Sequence, residues 1–141
     1  MATVDDLIGC TNQFFHKHWD LLDGEPPAWL CWLDCPSGNV PNFQLSGCYA
    51  LFEKDKLVYV GLGVSKGGGR YKAHGISRRL MQHVYYSSPE RRLKGRWLNV
   101  SSIWTIGFTD KSNEGIDLSY LACSLENYLI RHLDGLQNAK V

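Results

Sequence analysis

Apolar residues recur every three or four positions in three segments of the chain. This spacing places them on one face of an α-helix, so each segment is predicted to form an amphipathic helix. Thr3 is a suitable N-cap for the first helix, with Asp5 and Asp6 in its first turn. The predicted helices are residues 3–22, 76–86 and 117–133.

Three other segments are short and rich in β-branched or aromatic residues, a composition that favours β-strands. Residues 47–53 and 56–63 are separated by Lys54 and Asp55, which predicts a tight hairpin turn. Residues 97–108 are predicted to form a third strand. The order helix, hairpin, helix, strand, helix predicts an α+β fold in which a small central three-stranded antiparallel sheet is flanked by helices.

The chain has 141 residues, which is the size of one ordinary domain. We expect residues 46–141 to form the functional domain and residues 1–45 to form a helix-and-loop extension packed on it. As an alternative, Phe14, Trp29 and Trp32 of this extension could form a homodimer interface.

The composition favours a cytoplasmic protein. No segment approaches the roughly 18 to 20 apolar residues that span a membrane, and the N-terminus has no signal-peptide pattern. The five cysteines are odd in number and lack the spacing of a disulfide framework, which indicates reduced thiols. A zinc site at Cys31 and Cys35 is the less favoured alternative, because no second pair of ligands matches them.

Basic residues are concentrated in one part of the chain. Residues 66–96 contain nine lysines and arginines against one acid, Glu90, so this segment carries +8 and the remainder −7 of a total charge of +1. Such a stripe is typical of a surface that binds a polyanion. The alternative is a solvated basic helix and loop. The glycines at 61, 63 and 67 do not match the dinucleotide-binding fingerprint, and the element order supplies no parallel βαβ unit.

Several polar side chains in the predicted helices are suited to phosphate chemistry. Arg79 and His83 are four residues apart and share one helix face, and an arginine can contact a phosphate through two hydrogen bonds. Glu126 lies beside the apolar stripe of the last helix, where a carboxylate could hold a hard divalent cation with waters. When each feature is considered alone, it has a simpler interpretation. Arg79 and His83 would be an exposed pair on a helix, and Glu126 would be a surface glutamate.

The order of these residues carries more information than each of them alone. Two Gly/Tyr tripeptides lie on the predicted hairpin, and an Arg-x-x-x-His motif lies on the next helix. A glutamate lies on the last helix and is followed twelve residues later by an asparagine. These residues are Gly47-Cys48-Tyr49, Tyr59-Val60-Gly61, Arg79, His83, Glu126 and Asn138. In this order the chain resembles the GIY-YIG nuclease superfamily over about residues 46–138.

Three positions depart from the family pattern. Cys48 replaces the usual Ile or Val, at a buried position where a small apolar side chain fits. Gly135 stands where a proline is common. The gap between Tyr59 and Arg79 is longer than in compact members of the superfamily, as in its restriction-endonuclease branch.

The resemblance implies a divalent-metal-dependent DNA endonuclease with a single-metal site. Glu126 would bind Mg²⁺ or Mn²⁺, Arg79 would neutralise the scissile phosphate, and Tyr59 would orient it. Tyr49 lies at the position of the water-activating tyrosine. His83 would take the proton onward or act as the base itself.

Further residues would support the site or bind DNA: Asn138, Lys72, Arg70, Arg78, Arg91 and Arg92. Cutting both strands with one site per chain would require a dimer or two successive nicks. Two other classes of protein remain as alternatives. One is a catalytically inactive nucleic-acid-binding module on the same scaffold, and the other is a structural or interaction protein.

Overall fold

The residues that the structure describes form three α-helices and six strands. The computed structural model describes residues 1–20, 24–33, 38–64, 75–86, 92–108, 110–111, 116–117 and 120–138. The helices are α1 (Val4–His18), α2 (Gly75–His83) and α3 (Tyr120–His132). The strands are β1 (Leu30–Cys31), β2 (Ser46–Glu53), β3 (Lys56–Gly63), β4 (Ser102–Phe108), β5 (Asp110–Lys111) and β6 (Ile116–Asp117). The α+β class predicted from the element order is therefore confirmed.

The central sheet has four antiparallel strands in the order β1-β4-β2-β3. The predicted count of three strands is wrong, because Leu30 and Cys31 pair with Thr105 and Trp104 at the edge of β4. A two-residue strand is too short to show an alternating pattern, so only its partner strand defines it. Strands β5 and β6 form a separate two-stranded ribbon between β4 and α3, so Asp117, which was predicted to begin the last helix, lies in a strand.

The hairpin of β2 and β3 forms as predicted, with Lys54 and Asp55 as its turn. Lys54 adopts a φ of 55°, and its backbone N–H donates to the Ser101 hydroxyl at 2.7 Å. This hydrogen bond joins the turn to the residue that precedes β4. The hairpin is therefore held at its closed end by a neighbouring part of the chain.

Helix α1 begins where its sequence predicts and ends earlier. The Thr3 hydroxyl accepts from the Asp6 N–H at 3.3 Å, while the Asp6 carboxylate accepts from the Thr3 N–H at 2.9 Å. This reciprocal capping box satisfies two backbone donors at the helix start. The helix ends at His18 because Trp19 adopts an extended conformation.

The boundaries around α2 and β4 also differ from the prediction. Helix α2 ends at His83, since Tyr85 forms an antiparallel bridge with Leu93 instead of a further helical turn. Trp97 was predicted to begin a strand but lies in a 3₁₀ turn, Gly95–Trp97, with its ring buried. The strand starts five residues later, at Ser102.

Different helices cover the two faces of the sheet. Alternation along β2 directs Cys48, Ala50 and Phe52 toward α1 and α3, and directs Tyr49 and Leu51 toward α2. Each face carries its own hydrophobic core, and the tyrosines of the site described below lie on the α2 face. No helix among the described residues combines the length and apolar character that crossing a bilayer requires.

The first 45 residues contribute side chains to both cores. Phe14 and Trp29 lie in the core on the α1 and α3 face, and Trp32 lies in the core on the α2 face. All three are less than a tenth exposed. Their rings are therefore used within the chain and are not presented on its surface.

Candidate active site

Tyr49 lies at the centre of the candidate site. Its side chain is fully buried on the α2 face of β2, and its hydroxyl oxygen is 2.6 Å from Nδ1 of His83 at the end of α2. The two residues are 34 positions apart in the chain. The predicted Tyr49 and His83 are therefore joined by a short hydrogen bond, which strand alternation and helix packing together produce.

A glycine on the neighbouring strand makes room for the Tyr49 ring. Gly61 is directly opposite Tyr49 in the β2–β3 pairing. A Cβ atom at Gly61 would overlap the Tyr49 ring and its hydroxyl. The glycine at position 61 thus has a steric cause, since Tyr49 of β2 crosses over Gly61 of β3.

Gly63 brings α2 close to the sheet. A Cβ atom at Gly63 would lie 2.7 Å from the Gly75 carbonyl oxygen and 2.8 Å from Cα of Ile76. The first turn of α2 therefore packs directly on the backbone of β3. This close approach brings Arg79 and His83, later in the same helix, to the tyrosines of the hairpin.

Tyr59 forms the second aromatic wall of the site. Its ring stacks on that of Tyr49 with centroids 6.1 Å apart. The Tyr59 ring also lies 5.1 Å from His83 and 5.0 Å from Trp97. Because Tyr59 is only partly buried, it is the tyrosine of the pair that a ligand can reach more directly.

Arg79 and Glu126 act electrostatically on the same two hydroxyl groups. Burial is the largest influence and raises the pKa of both Tyr49 and Tyr59. The positive charge of Arg79 lowers these pKa values, and the negative charge of Glu126 raises them. Arg79 also lowers the pKa of Tyr49 through a hydrogen bond. The helix cation and the carboxylate of α3 therefore converge on the tyrosine pair.

The balance of these effects leaves Tyr49 as a neutral phenol near pH 7. An ordinary tyrosine has a pKa of about 10, and burial moves that of Tyr49 upward despite the Arg79 guanidinium. A tyrosine that acts as a base by ionising near neutral pH needs a lowered pKa, whereas the pKa of Tyr49 is raised. A neutral phenol can still pass a proton on if its own hydroxyl hydrogen has an acceptor.

His83 is suited to be that acceptor. Burial, followed by the charges of Arg79, Arg96 and Lys94, lowers the pKa of His83 from its ordinary value. The imidazole is therefore neutral near pH 7, and with Nδ1 unprotonated it accepts the hydrogen bond of Tyr49. The Trp97 indole N–H donates to the His83 carbonyl oxygen at 3.1 Å, which fixes the helix end that carries the ring.

Asn138 holds the strand that carries Tyr59. Its side-chain oxygen accepts from the Val60 N–H at 3.0 Å, and its amide N–H donates to the Val60 carbonyl at 2.7 Å. The neighbouring Gln137 N–H donates to the Val58 carbonyl at 2.7 Å. Since β3 is an edge strand, these bonds satisfy backbone groups that have no further strand to pair with.

Glu126 has the chemistry of a ligand for a hard divalent cation. Its side chain is partly buried, and burial raises its pKa while Arg79 lowers it. The described residues contain no cluster of three or more His, Cys, Asp or Glu side chains. A cation at Glu126 would therefore take its other ligands from water and from the oxygens of a bound phosphate, as magnesium commonly does.

The remaining predicted DNA contacts are only partly described. Arg78 and Arg79 line a cavity of about 200 Å³ between the end of β3 and α2, together with Gly63 and Gln82. Arg92 lies over the Tyr86 ring at 5.2 Å. Arg70, Lys72, Arg91 and Cys35 lie outside the described residues, and Cys31 is a free thiol.

Two residues of the site were not predicted from the sequence. The Arg96 guanidinium lies 4.5 Å above the Trp97 ring and 5.6 Å from the Tyr59 ring centroid. Trp97 in turn contacts Tyr59 and His83, with ring centroids 5.0 and 5.4 Å away. The available signal was a tryptophan directly after a basic residue in the basic segment, which the strand prediction obscured.

No protein-family model matches this chain, and neither a curated protein nor a solved structure is significantly similar to it.

Proposed function

We propose that this protein is a divalent-metal-dependent DNA endonuclease that hydrolyses phosphodiester bonds at the site of Tyr49, Tyr59, Arg79, His83 and Glu126. One observation carries the proposal: the Tyr49 hydroxyl lies 2.6 Å from His83 Nδ1, within reach of the charges of Arg79 and Glu126. A buried phenol–imidazole pair beside a cation and a carboxylate is an arrangement that hydrolysis of a phosphodiester can use.

The first requirement of the reaction is an activated water. Tyr49 would accept a proton from the water while giving its own hydroxyl hydrogen to His83 Nδ1. This relay suits a tyrosine whose pKa is raised and a histidine whose pKa is lowered, because both are neutral before the reaction begins. General-base assistance of this kind contributes about 10²- to 10⁴-fold to a rate.

The second requirement is neutralisation of charge on the phosphoryl oxygens. Arg79 is exposed on α2, so its planar guanidinium is open to a phosphate from solvent and can contact two oxygens at once. The partly exposed Tyr59 hydroxyl, beside the same guanidinium, would orient that phosphate. The cavity at Arg78 and Arg79 would admit the part of the DNA strand next to that phosphate.

The third requirement is help for the leaving oxygen. Glu126 would hold Mg²⁺ or Mn²⁺, whose positive charge stabilises negative charge on phosphate and leaving oxygens. One carboxylate supports a one-metal site. Burial raises the pKa of Glu126 and the charge of Arg79 opposes that rise, and a bound cation would itself favour the ionised carboxylate.

The fold is consistent with the resemblance to the GIY-YIG superfamily. Strands β2, β3 and β4 would be the three-stranded sheet of that family, with β1 as an addition. The hairpin carries both Gly/Tyr tripeptides, and α2 and α3 carry the arginine, the histidine and the glutamate. Cleavage of both strands would require a homodimer or two successive nicks.

The test is nicking and linearisation of a supercoiled plasmid with Mg²⁺, Mn²⁺ or EDTA. The variants are Glu126→Gln, Arg79→Ala and His83→Ala. Two matched controls remove the same charges elsewhere: Glu53→Gln at the far end of the hairpin and Lys17→Ala on α1. We expect metal-dependent cutting by the wild type and by both controls, and a loss of at least about 10²-fold in the three site variants.

The outcomes separate the candidate functions. Cutting that survives both Glu126→Gln and Arg79→Ala would reject the site. DNA binding without cutting under any metal, unchanged by Glu126→Gln, would reject catalysis and support an inactive nucleic-acid-binding module. Absence of salt-dependent DNA binding would reject both and leave an interaction protein.

A further inference from the structure

Three basic residues occupy alternate positions in the segment between α2 and β4. Leu93 pairs with Tyr85 in an antiparallel bridge and packs against the core. The residues on either side of it, Arg92 and Lys94, therefore point the other way, and Arg96 follows as an exposed residue of the 3₁₀ turn. We refer to Arg92, Lys94 and Arg96 as the basic row.

Neutral groups hold the side chains of the basic row. Arg92 and Lys94 lie 5.2 and 5.5 Å from the Tyr86 ring centroid, and Lys94 Nζ donates to the Gln82 carbonyl oxygen at 2.6 Å. An aromatic face or a carbonyl oxygen orders a cation without cancelling its charge. The row therefore keeps its positive charge for a ligand, and fewer side-chain rotamers need to be fixed when that ligand binds.

The basic row begins at the candidate active site. Arg96 stacks on Trp97 at 4.5 Å and lies 5.6 Å from the Tyr59 ring centroid. The positive charges of Arg96 and Lys94 lower the pKa of His83, and that of Arg96 lowers the pKa of Tyr59. The row therefore starts beside the tyrosine that would orient the phosphate and leads away from it along the surface.

We propose that the basic row binds the phosphates of the DNA strand on one side of the bond that is cut. The proposal rests on the endonuclease function and adds the path of the substrate. Arg92 and Lys94 are alternate residues of an extended segment, about 6.5 Å apart along the backbone, and Arg96 follows in the adjoining 3₁₀ turn, so the row presents three successive charges along one segment. A line one residue wide that starts at a phosphate-cleaving site fits a polynucleotide strand better than a broad anionic surface.

The test is a salt titration of DNA binding, which needs no cleavage. Binding of a fluorescein-labelled duplex is followed by fluorescence anisotropy in EDTA between about 50 and 300 mM KCl. The variants are Arg92→Ala, Lys94→Ala, Arg96→Ala and the triple variant, with Lys17→Ala as a charge-matched control on α1. Arg96→Lys keeps the charge and tests whether the charge itself matters.

We expect each alanine variant of the row to reduce the slope of log K against log[salt] by about 0.9 and the triple variant by about 2.7. Lys17→Ala and Arg96→Lys should keep the wild-type slope. Circular dichroism and thermal unfolding report whether each variant is folded. A triple variant that is folded and keeps the wild-type slope would overturn the proposal.

Two further titrations test whether the partner of the basic row is DNA or another anionic ligand. The triple variant is titrated in parallel with an acidic peptide and with vesicles that contain phosphatidylserine. A larger loss of binding to either of these than to the duplex would overturn the assignment to DNA. Plasmid cutting by the wild type tests the endonuclease function separately. If the wild type cuts DNA and the triple variant keeps the wild-type salt slope, the role of the basic row is rejected while the endonuclease function stands.

Discussion

Replacing Gly61 with alanine is the sharpest test of how the site is built. The added Cβ would overlap the Tyr49 ring and hydroxyl, and the ring is fully buried within a hydrophobic core. Inserting a methyl group into a packed core costs about 1–3 kcal/mol. Gly9→Ala is the matched control, because nothing lies within 4 Å of a Cβ at Gly9.

The two substitutions should have opposite effects on stability. For a chain of this length, 1 kcal/mol corresponds to about 3–5 °C in Tm. Gly61→Ala should therefore lower Tm by about 3–15 °C. Gly9 is exposed in the middle of α1, where alanine is favoured over glycine by about 0.5–1 kcal/mol, so Gly9→Ala should raise Tm by about 2–5 °C.

A double-mutant cycle assigns the cost to the Tyr49 ring. The atoms that a Cβ at Gly61 would overlap belong to the outer ring and the hydroxyl, and Tyr49→Leu removes them. In the Tyr49→Leu background we expect Gly61→Ala to cost at least about 1 kcal/mol less than in the wild type. Thermal and urea unfolding measure both legs, and an equal cost in the two backgrounds would refute the steric explanation.

The same substitution should also affect catalysis. If the ring shifts, the Tyr49 hydroxyl leaves its position 2.6 Å from His83 Nδ1, and a displacement of about 1 Å can cost 10²-fold in rate. We therefore expect Gly61→Ala to lose about 10²-fold in plasmid cutting at a temperature where it is fully folded. Unchanged cutting by a destabilised but folded variant would separate the Tyr49–His83 contact from the chemistry.

Three further predictions concern the support, the pH response and the metal. Asn138→Ala should lower the free energy of unfolding by about 1–3 kcal/mol, since it removes both side-chain bonds to Val60; urea unfolding measures this, and a change below about 0.5 kcal/mol would contradict it. The folded-state pKa of His83 lies below its ordinary value, so the unfolded chain binds more protons below about pH 6.5 and stability falls there as pH falls. His83→Gln should weaken that fall when unfolding is compared at about pH 7.5 and 5, and an identical fall in both proteins would contradict the shift. Mn²⁺ should raise the Tm of the wild type and not of Glu126→Gln, because a ligand of the folded state alone stabilises it; an equal rise in both would exclude Glu126 as the ligand.

Local patterns in the sequence determined most of the secondary structure. The helices of α1, α2 and α3 follow from apolar spacing, and the hairpin follows from two β-rich segments around Lys54 and Asp55. The Thr3 cap is local as well, because its partner Asp6 is three residues away. Such features depend on residues that are close together in the chain, so they can be predicted from the sequence.

Packing decided where the elements end and which short pieces join the sheet. Helix α2 stops at His83 because Tyr85 pairs with Leu93, and Trp97 turns into the core instead of extending β4. Strand β1 exists because β4 offers an edge to Leu30 and Cys31. These outcomes depend on a partner elsewhere in the chain, which a helical or alternating period does not encode.

The same division holds for the candidate site. Sequence order selected Tyr49, Tyr59, Arg79, His83 and Glu126 through their resemblance to a family pattern. Only the tertiary structure decided that Tyr49 meets His83 across 34 positions. Burial of the tyrosine then raises its pKa and burial of the histidine lowers its own, so both are neutral near pH 7.

The fold also decided the partners of residues whose contacts the sequence did not indicate. Asn138 reaches back 78 positions to the edge strand at Val60, and Arg96 and Trp97 come to lie over Tyr59. Asn138 binds backbone groups that the edge strand leaves without a partner strand. Arg96 stacks on aromatic faces that the core leaves accessible. Both are properties of packed surfaces, so they exist only once the chain has folded.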